Sequence, residues 1–192
     1  MAQSPTKKEQ TRARILDAAS QSFRSSGYAG TGVDGIAKAA GVTSGAFYAH
    51  FGSKDGAFEA ALATGMDEVI ESVPKFQTEF GADWVGAFAD YYLGAAHRGD
   101  LPRGCAMTTL SPEIVRADPK MRSTYEAKMS EIVGLIANGL KGGAEDVRRA
   151  RGWAMLSTLI GGLTLSRAVA NPDEANTIAA SARTAALVAA GV

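Results

Sequence analysis

The chain has 192 residues, more than the roughly 100–150 of one compact domain and too few for two full-sized ones. With 46% hydrophobic and 21% charged residues it is globular in composition. One cysteine excludes an internal disulfide, and two histidines argue against a multi-ligand metal site, so neither a metal nor a cofactor is expected. The net charge of zero is unevenly divided: residues 1–54 carry seven basic and three acidic side chains, net +4, leaving 13 basic and 17 acidic, net −4, for the other 138. A basic head before an acidic body suits contact with a polyanion.

Helical periodicity runs through the chain, and no segment alternates like a strand. Over Glu9–Ser26, Ile15, Ala19 and Phe23 share one face, with Gly27 as the expected C-cap. Short helices are expected over Asp34–Ala40, stopped by Gly41, and over Ser44–His50, stopped near Gly52. A fourth begins at Ser53, carries Phe58, Leu62, Gly65 and Val69 on one stripe and is expected to end at Pro74. Trp84, Phe88, Tyr91 and Ala95 mark a fifth, and Gly99–Gly104 reads as loop. Ser111-Pro112, Asp118-Pro119 and Asn171-Pro172 each read as a cap followed by a first-turn proline. Met121, Tyr125, Met129, Ile132, Ile136 and Leu140 mark a long helix ending at Gly142-Gly143, before an Ala-rich hairpin over 144–170 and 173–190. The chain is therefore expected to be all-α, with roughly nine or ten helices.

The segment VDGIAKAAGVTSGAFYAHF, from Val33 to Phe51, has a geometric meaning. Ile36, Ala37 and Ala40 form an inner face, Ala37 is small enough for a second helix to cross, and Gly41 supplies the left-handed turn residue. Phe47 and Phe51 return to the core, which leaves Thr43, Ser44, Gly45, Ala46, Tyr48 and His50 outward. An exposed helix with a short, polar first turn has the shape of a recognition element that enters a major groove; an ordinary helical hairpin is the alternative.

Over Thr11–Leu62 the blocks GYxGT, IAxxAGV and FYxHFxSK arrive in the order and spacing of the TetR family of bacterial transcription regulators, and the chain resembles that family's DNA-binding domain. The resemblance implies a three-helix head with a helix-turn-helix over residues 1–53 and a helical ligand-binding and dimerisation body over 54–192. It implies a homodimeric repressor in the bacterial cytosol that binds a palindromic double-stranded DNA operator and releases it to a small-molecule inducer. Thr43, Ser44 and Ala46 would then face base edges, with Gly45 allowing close approach. Tyr48, His50, Lys54 and Thr31 would meet phosphates, and Lys7, Lys8 and Arg12 would add contacts from an N-terminal arm.

In the body, Trp84, Phe88, Tyr91, Tyr92, Cys105, Met107, Trp153 and Met155 are candidates for a ligand pocket, or simply core. Leu156, Leu163, Ile178, Ala182 and Ala186 are the candidates for a tight two-fold interface between the last two helices of two copies. Cys105 is either a pocket-lining or structural thiol, or a redox or electrophile sensor favoured by nearby Arg103.

Other functions are excluded on specific grounds. Gly30 to Gly35 spells G-x-G-x-x-G with Asp55 20 residues on, but no strand precedes it and no βαβ alternation follows, so an NAD-dependent enzyme is not expected. No serine is framed for hydrolysis. The 15 uncharged residues from Gly152 to Ser166 fall short of the ~20 that a membrane helix needs, and the basic N-terminus lacks the apolar run of a signal peptide. A soluble, cytoplasmic protein is expected.

Overall fold

The computed structural model of the chain describes residues 4–192, so the first three residues of the head expected over 1–53 lie outside it. Among the described residues there are ten α-helices and one 3-10 turn, and no strand. The head holds α1 (Lys7–Gly30), α2 (Val33–Ala39) and α3 (Ser44–Phe51). The body holds α4 (Lys54–Phe80), α5 (Trp84–Leu93), α6 (Ala95–Gly99), α7 (Ala106–Ile114), α8 (Pro119–Gly139), α9 (Glu145–Ala168) and α10 (Pro172–Ala190).

The head forms as its sequence dictates. Thr6 Oγ1 accepts from the Glu9 amide at 3.3 Å while Glu9 accepts from the Thr6 amide at 2.7 Å, a reciprocal cap that opens α1. Ile15, Ala19 and Phe23 are fully buried against Ile36 and Phe47. Gly27, at φ +68°, breaks the helical run as expected, although one further turn carries the segment on to Gly30. Phe23 meets Phe58 of α4 edge to face at 5.1 Å, so the hydrophobic core runs unbroken from head into body.

Three expected boundaries are corrected. Pro74 does not end α4, which continues to Phe80. The lost amide bond is outweighed by packing on either side of the proline, where Val73 is fully buried and Phe76 lies edge-on to Phe88 at 5.4 Å. Ser111-Pro112 lies inside α7, which starts at Ala106 because Met107, Leu110 and Ile114 bury one continuous face. Ser111 shares a 2.6 Å hydrogen bond with the Tyr125 hydroxyl instead of capping a helix. The fifth helix stops at Leu93, since Gly94 takes an extended ψ of 153°, and Ala95 opens α6.

Asp118 and Asn171 cap α8 and α10 as expected, accepting from the amides of Met121 and of Asp173 and Glu174. The α8 helix ends at Gly139, and Gly142 and Gly143, both at positive φ, make the turn into α9. α9 and α10 then pack backbone to backbone: a Cβ on Gly162 would stand 2.3 Å from the Ala182 Cβ. Among the described residues no helix is long and apolar enough to cross a membrane.

Candidate functional site

Two places bring together the residues singled out by the sequence. The first is α3. Thr43 caps it, its Oγ1 accepting from the Ala46 amide at 3.2 Å, and Phe47 anchors it in the head core. Thr43, Gly45 and Tyr48 are exposed, while Ser44, Ala46 and His50 are half-buried at its rim. Tyr48 is 51% exposed with its ring edge-on to Phe47, so it is held upright and not folded into the head. Ser44 Oγ donates to Asp34 Oδ1 of α2 at 2.6 Å.

Lys54 opens α4 beside this helix, its Nζ 4.1 Å from the centre of the Tyr28 ring. Tyr28 in turn donates its hydroxyl to Asp55, which with partial burial pushes the phenol up to about 12. The backbone amide of Tyr28 donates to Glu113 of α7 at 3.4 Å. The charge that opens the body is therefore positioned by an aromatic ring of the head, itself held by Asp55 and Glu113 of the body.

Two expected contacts of the head are corrected. Thr31 is buried, and its hydroxyl is spent on the carbonyls of Gly27 and Ser22 at 2.8 and 3.1 Å, so it closes the α1–α2 corner and offers nothing to a phosphate. Lys7 and Lys8 do not form an arm. They are exposed in the first turn of α1, and Arg12 lies 5.0 Å over the Phe51 ring. The G-x-G-x-x-G stretch falls on the tail of α1, the cap of α2 and α2 itself, which is no dinucleotide loop.

The second place is a small, half-open cavity of about 70 Å³ among α4, α5, α6 and the start of α7. Phe88, Tyr91, Tyr92 and Cys105 line it as expected. Trp84 does not: it is buried outside the cavity, its Nε1 donating to the Gly139 carbonyl at 3.2 Å. Met107 and Met155 are fully buried core residues, and Trp153 is 42% exposed on α9 and does not line the cavity.

The lining also contains Glu68, His97 and Arg103, which sequence reasoning missed. His97 stacks on Tyr91 at 5.5 Å and stands edge-on to Tyr92. Its Nδ1 lies 2.8 Å from the Tyr92 carbonyl, and its Nε2 accepts from the Cys105 amide at 3.0 Å. That pattern fixes a neutral ring with the proton on Nδ1, and burial holds its pKa below the ordinary value. Burial likewise pushes the Cys105 thiol up, against the smaller lowering from the Tyr92 hydroxyl and two amides. Arg103 therefore does not create the reactive thiolate that its sequence position suggested.

Three of the five interface candidates are corrected. Leu156, Leu163 and Ala186 are fully buried within the chain, so they hold the protomer together and cannot also face a second copy. Ile178 and Ala182 are half-buried, and Ala182 packs against Gly162 of α9. The outward stripes carry other residues: Trp153, Ala154, Ser157 and Leu165 on α9, and Thr177, Ala180, Ser181, Thr184 and Val188 on α10. The 3.6-residue spacing of both stripes was available in the sequence, but every position on either face is small or apolar, which hid the outer one.

Comparison with known proteins agrees with this geometry. Residues 15–61 match the family model described as "Bacterial regulatory proteins, tetR family". The HTH-type transcriptional regulator AcrR of Shigella flexneri is 39% identical over 75 residues, which are 39% of this chain and 35% of that protein, so the match spans about a third of the relative's length. Over nearly the whole chain the fold is shared with a TetR-family transcriptional regulator from Cytophaga hutchinsonii (17% identity, 97% of this chain and 98% of that one, TM-score 0.77). It is also shared with the transcriptional regulator FadR of Bacillus subtilis in complex with stearoyl-CoA (19% identity, 94% of this chain and 98% of that one, TM-score 0.70).

Proposed function

The chain belongs, through its head, to the TetR family of bacterial regulatory proteins, and we propose that it is a homodimeric repressor that leaves its operator when a small molecule enters the body. Residues up to 53 are the reading head and residues 54–192 the sensing and dimerising body. The observation that carries this reading is α3: a helix anchored by Phe47, with Thr43, Ser44, Gly45 and Ala46 in its first turn and Tyr48, His50 and Lys54 around them. Short side chains make single hydrogen bonds to base edges, and the larger polar ones reach phosphates. No arginine or carboxamide stands on α3, so groove shape and bridging waters supply part of the specificity.

The charge-free outer stripes of α9 and α10 suit a two-fold interface, and a dimer of this kind sets two recognition helices about one DNA turn apart, ~34–36 Å, or a multiple of it. The operator is then an inverted repeat. Selection of bound duplexes from a random pool tests this; enrichment of sequences without two-fold symmetry, or of none, overturns it.

The inducer acts only through a difference in affinity between the DNA-binding and released states. The route on offer is mechanical. Cys105 is both a wall of the cavity and the cap of α7, while Glu113 near the other end of α7 holds the Tyr28 amide beneath Lys54. Gly65 of α4 lines the same cavity, and α4 begins at Lys54. A ligand that wedges α4 from α7 therefore shifts the recognition helices. The bound acyl-CoA of the B. subtilis relative supports a ligand-holding body in this architecture. A redox trigger at Cys105 is disfavoured by its raised thiol.

A further inference from the structure

Two arginines of the body share a groove that no acidic side chain lines. The groove holds about 480 Å³ between α6 and the turn from α9 to α10, and its wall includes Arg98, Leu101, Ser166, Arg167, Pro172 and Asn176. Neither guanidinium pairs with a carboxylate among the described residues. The acids closest in sequence are placed elsewhere: Asp100 accepts the Arg103 amide at 3.0 Å, and Asp173 and Glu174 are exposed on the first turn of α10.

Both arginines are held in place by neutral groups. Arg167 donates from Nε to the Arg98 carbonyl at 3.2 Å and from Nη2 to the carbonyls of His97 and Asp100 at 2.6 and 3.4 Å. A Cβ on Gly104 would stand 2.4 Å from that Nη2, so glycine at this position is what lets the guanidinium lie against the loop. Arg98 donates from Nη2 to the Asn176 side-chain oxygen at 2.6 Å. Carbonyls and an amide answer donors but bring no formal charge, and two donors stay unanswered: Arg167 Nη1 and Arg98 Nε are buried without an acceptor among the described residues. Burial accordingly presses the Arg167 pKa below its ordinary value. Two cations in one wall, with no anion between them, are costly to keep unless something negative comes to them.

We infer that this groove binds a phosphate group, free or at the end of a small organic molecule, between Arg98 and Arg167. The site goes beyond the operator-and-inducer reading and does not depend on it, since none of its wall residues belongs to the His97 cavity or to the outer stripes of α9 and α10. Nη2, the nitrogen common to both forks of a guanidinium, is already engaged by the protein in each arginine. Neither therefore offers the clean pair of parallel donors that a planar carboxylate uses best. A tetrahedral group takes single donors from several directions, and its two charges answer two cations.

The experiment titrates the full chain without DNA by calorimetry, at constant ionic strength in phosphate-free buffer, with inorganic phosphate, glycerol 3-phosphate, acetate and glycerol. One phosphate or one ester per chain is expected in the groove, with acetate at least about tenfold weaker and glycerol not bound. Tighter binding of the ester assigns the groove to an organic phosphate, and tighter binding of inorganic phosphate assigns it to the free ion; both support the site. Asn176→Asp sets a carboxylate against Arg98 at an exposed position with almost no change of shape, and is expected to weaken phosphate at least about tenfold. Arg98→Gln removes one of the two cations and is expected to act in the same direction. Lys54→Ala, which alters a phosphate contact proposed for DNA, is expected to leave this binding unchanged. No saturable binding, acetate as tight as phosphate, or an affinity that survives Asn176→Asp and is lost in Lys54→Ala overturns the inference.

Discussion

Ser44 Oγ lies 2.6 Å from Oδ1 of Asp34, so the proton of the serine points at the carboxylate of the preceding helix and only its lone pairs face outward. In the proposed complex Ser44 is then an acceptor, and the partners it can read in a major groove are the amino groups of cytosine and adenine. Asp34→Ala frees the hydroxyl to donate as well as accept. Discrimination at that base pair is expected to fall by about 1 kcal/mol, roughly fivefold, while affinity for DNA as a whole rises with the loss of a negative charge. Comparing the sequences selected by the two proteins checks this; an unchanged preference at every position means that Asp34 does not orient Ser44.

Lys54 gives a second test of the head. Its Nζ is held over the Tyr28 ring at 4.1 Å, which pre-positions the charge at the start of α4. Lys54→Ala is expected to weaken binding to all duplexes alike and to reduce the slope of log affinity against log salt by about 0.9, the loss of one phosphate contact. A salt titration of wild type and variant on one operator and one unrelated duplex measures both quantities.

The head was legible in the sequence because each of its features depends on neighbours a few residues apart. Gly27 and Gly41 are local conformational demands, and the inward set of Ile15, Phe23, Ile36 and Phe47 follows helical spacing. What failed to show was decided at long range. Pro74 continues a helix only because Val73 and Phe76 have a core to pack on, and Thr31 is withdrawn by carbonyls of the α1 tail. Arg24 and His97 looked like ordinary entries in a charge count until α4, α5 and α7 were folded around them. In α9 and α10, inner and outer faces are made of the same small residues, so periodicity located both faces and could not say which was which.

That ambiguity is resolved by a pair of substitutions two residues apart. Leu163 is fully buried, whereas Leu165 is 59% exposed on the outer stripe. Leu163→Asp places a charge in the protomer core, is expected to cost at least about 3 kcal/mol, and lowers the thermal midpoint by roughly 6–12 °C. Leu165→Asp is expected to leave the helical fold intact and to yield a monomer by light scattering, with loss of operator binding. A native-like dimer from Leu165→Asp would place the interface elsewhere.

His97 predicts a pH dependence with a definite sign. Burial depresses its pKa in the folded chain, and only the neutral ring accepts the Cys105 amide. In the window below the ordinary value of ~6.5 the unfolded chain binds a proton that the folded chain does not, so stability falls as pH drops from 7 towards 5. The carboxylates whose pKa values are lowered, Asp90 and Glu9, lose their contributions only at more acid pH. His97→Gln keeps an acceptor without the titration and is expected to flatten this part of the profile, followed as thermal midpoint against pH.

The outer stripes of α9 and α10 consist of Trp153, Leu165 and Val188 standing among alanine, serine and threonine, with the half-exposed Arg183, paired to Asp90, beside them. If this face joins two copies as proposed, charge gives it little means of rejecting a wrong partner, and self-recognition would rest mainly on relief: where each bulge finds a gap. Mixed pairs with other proteins of this architecture would then be excluded by the spacing of three large side chains. Exchanging one bulge for one gap, Trp153→Ala with Ala180→Trp, is expected to change which chains assemble.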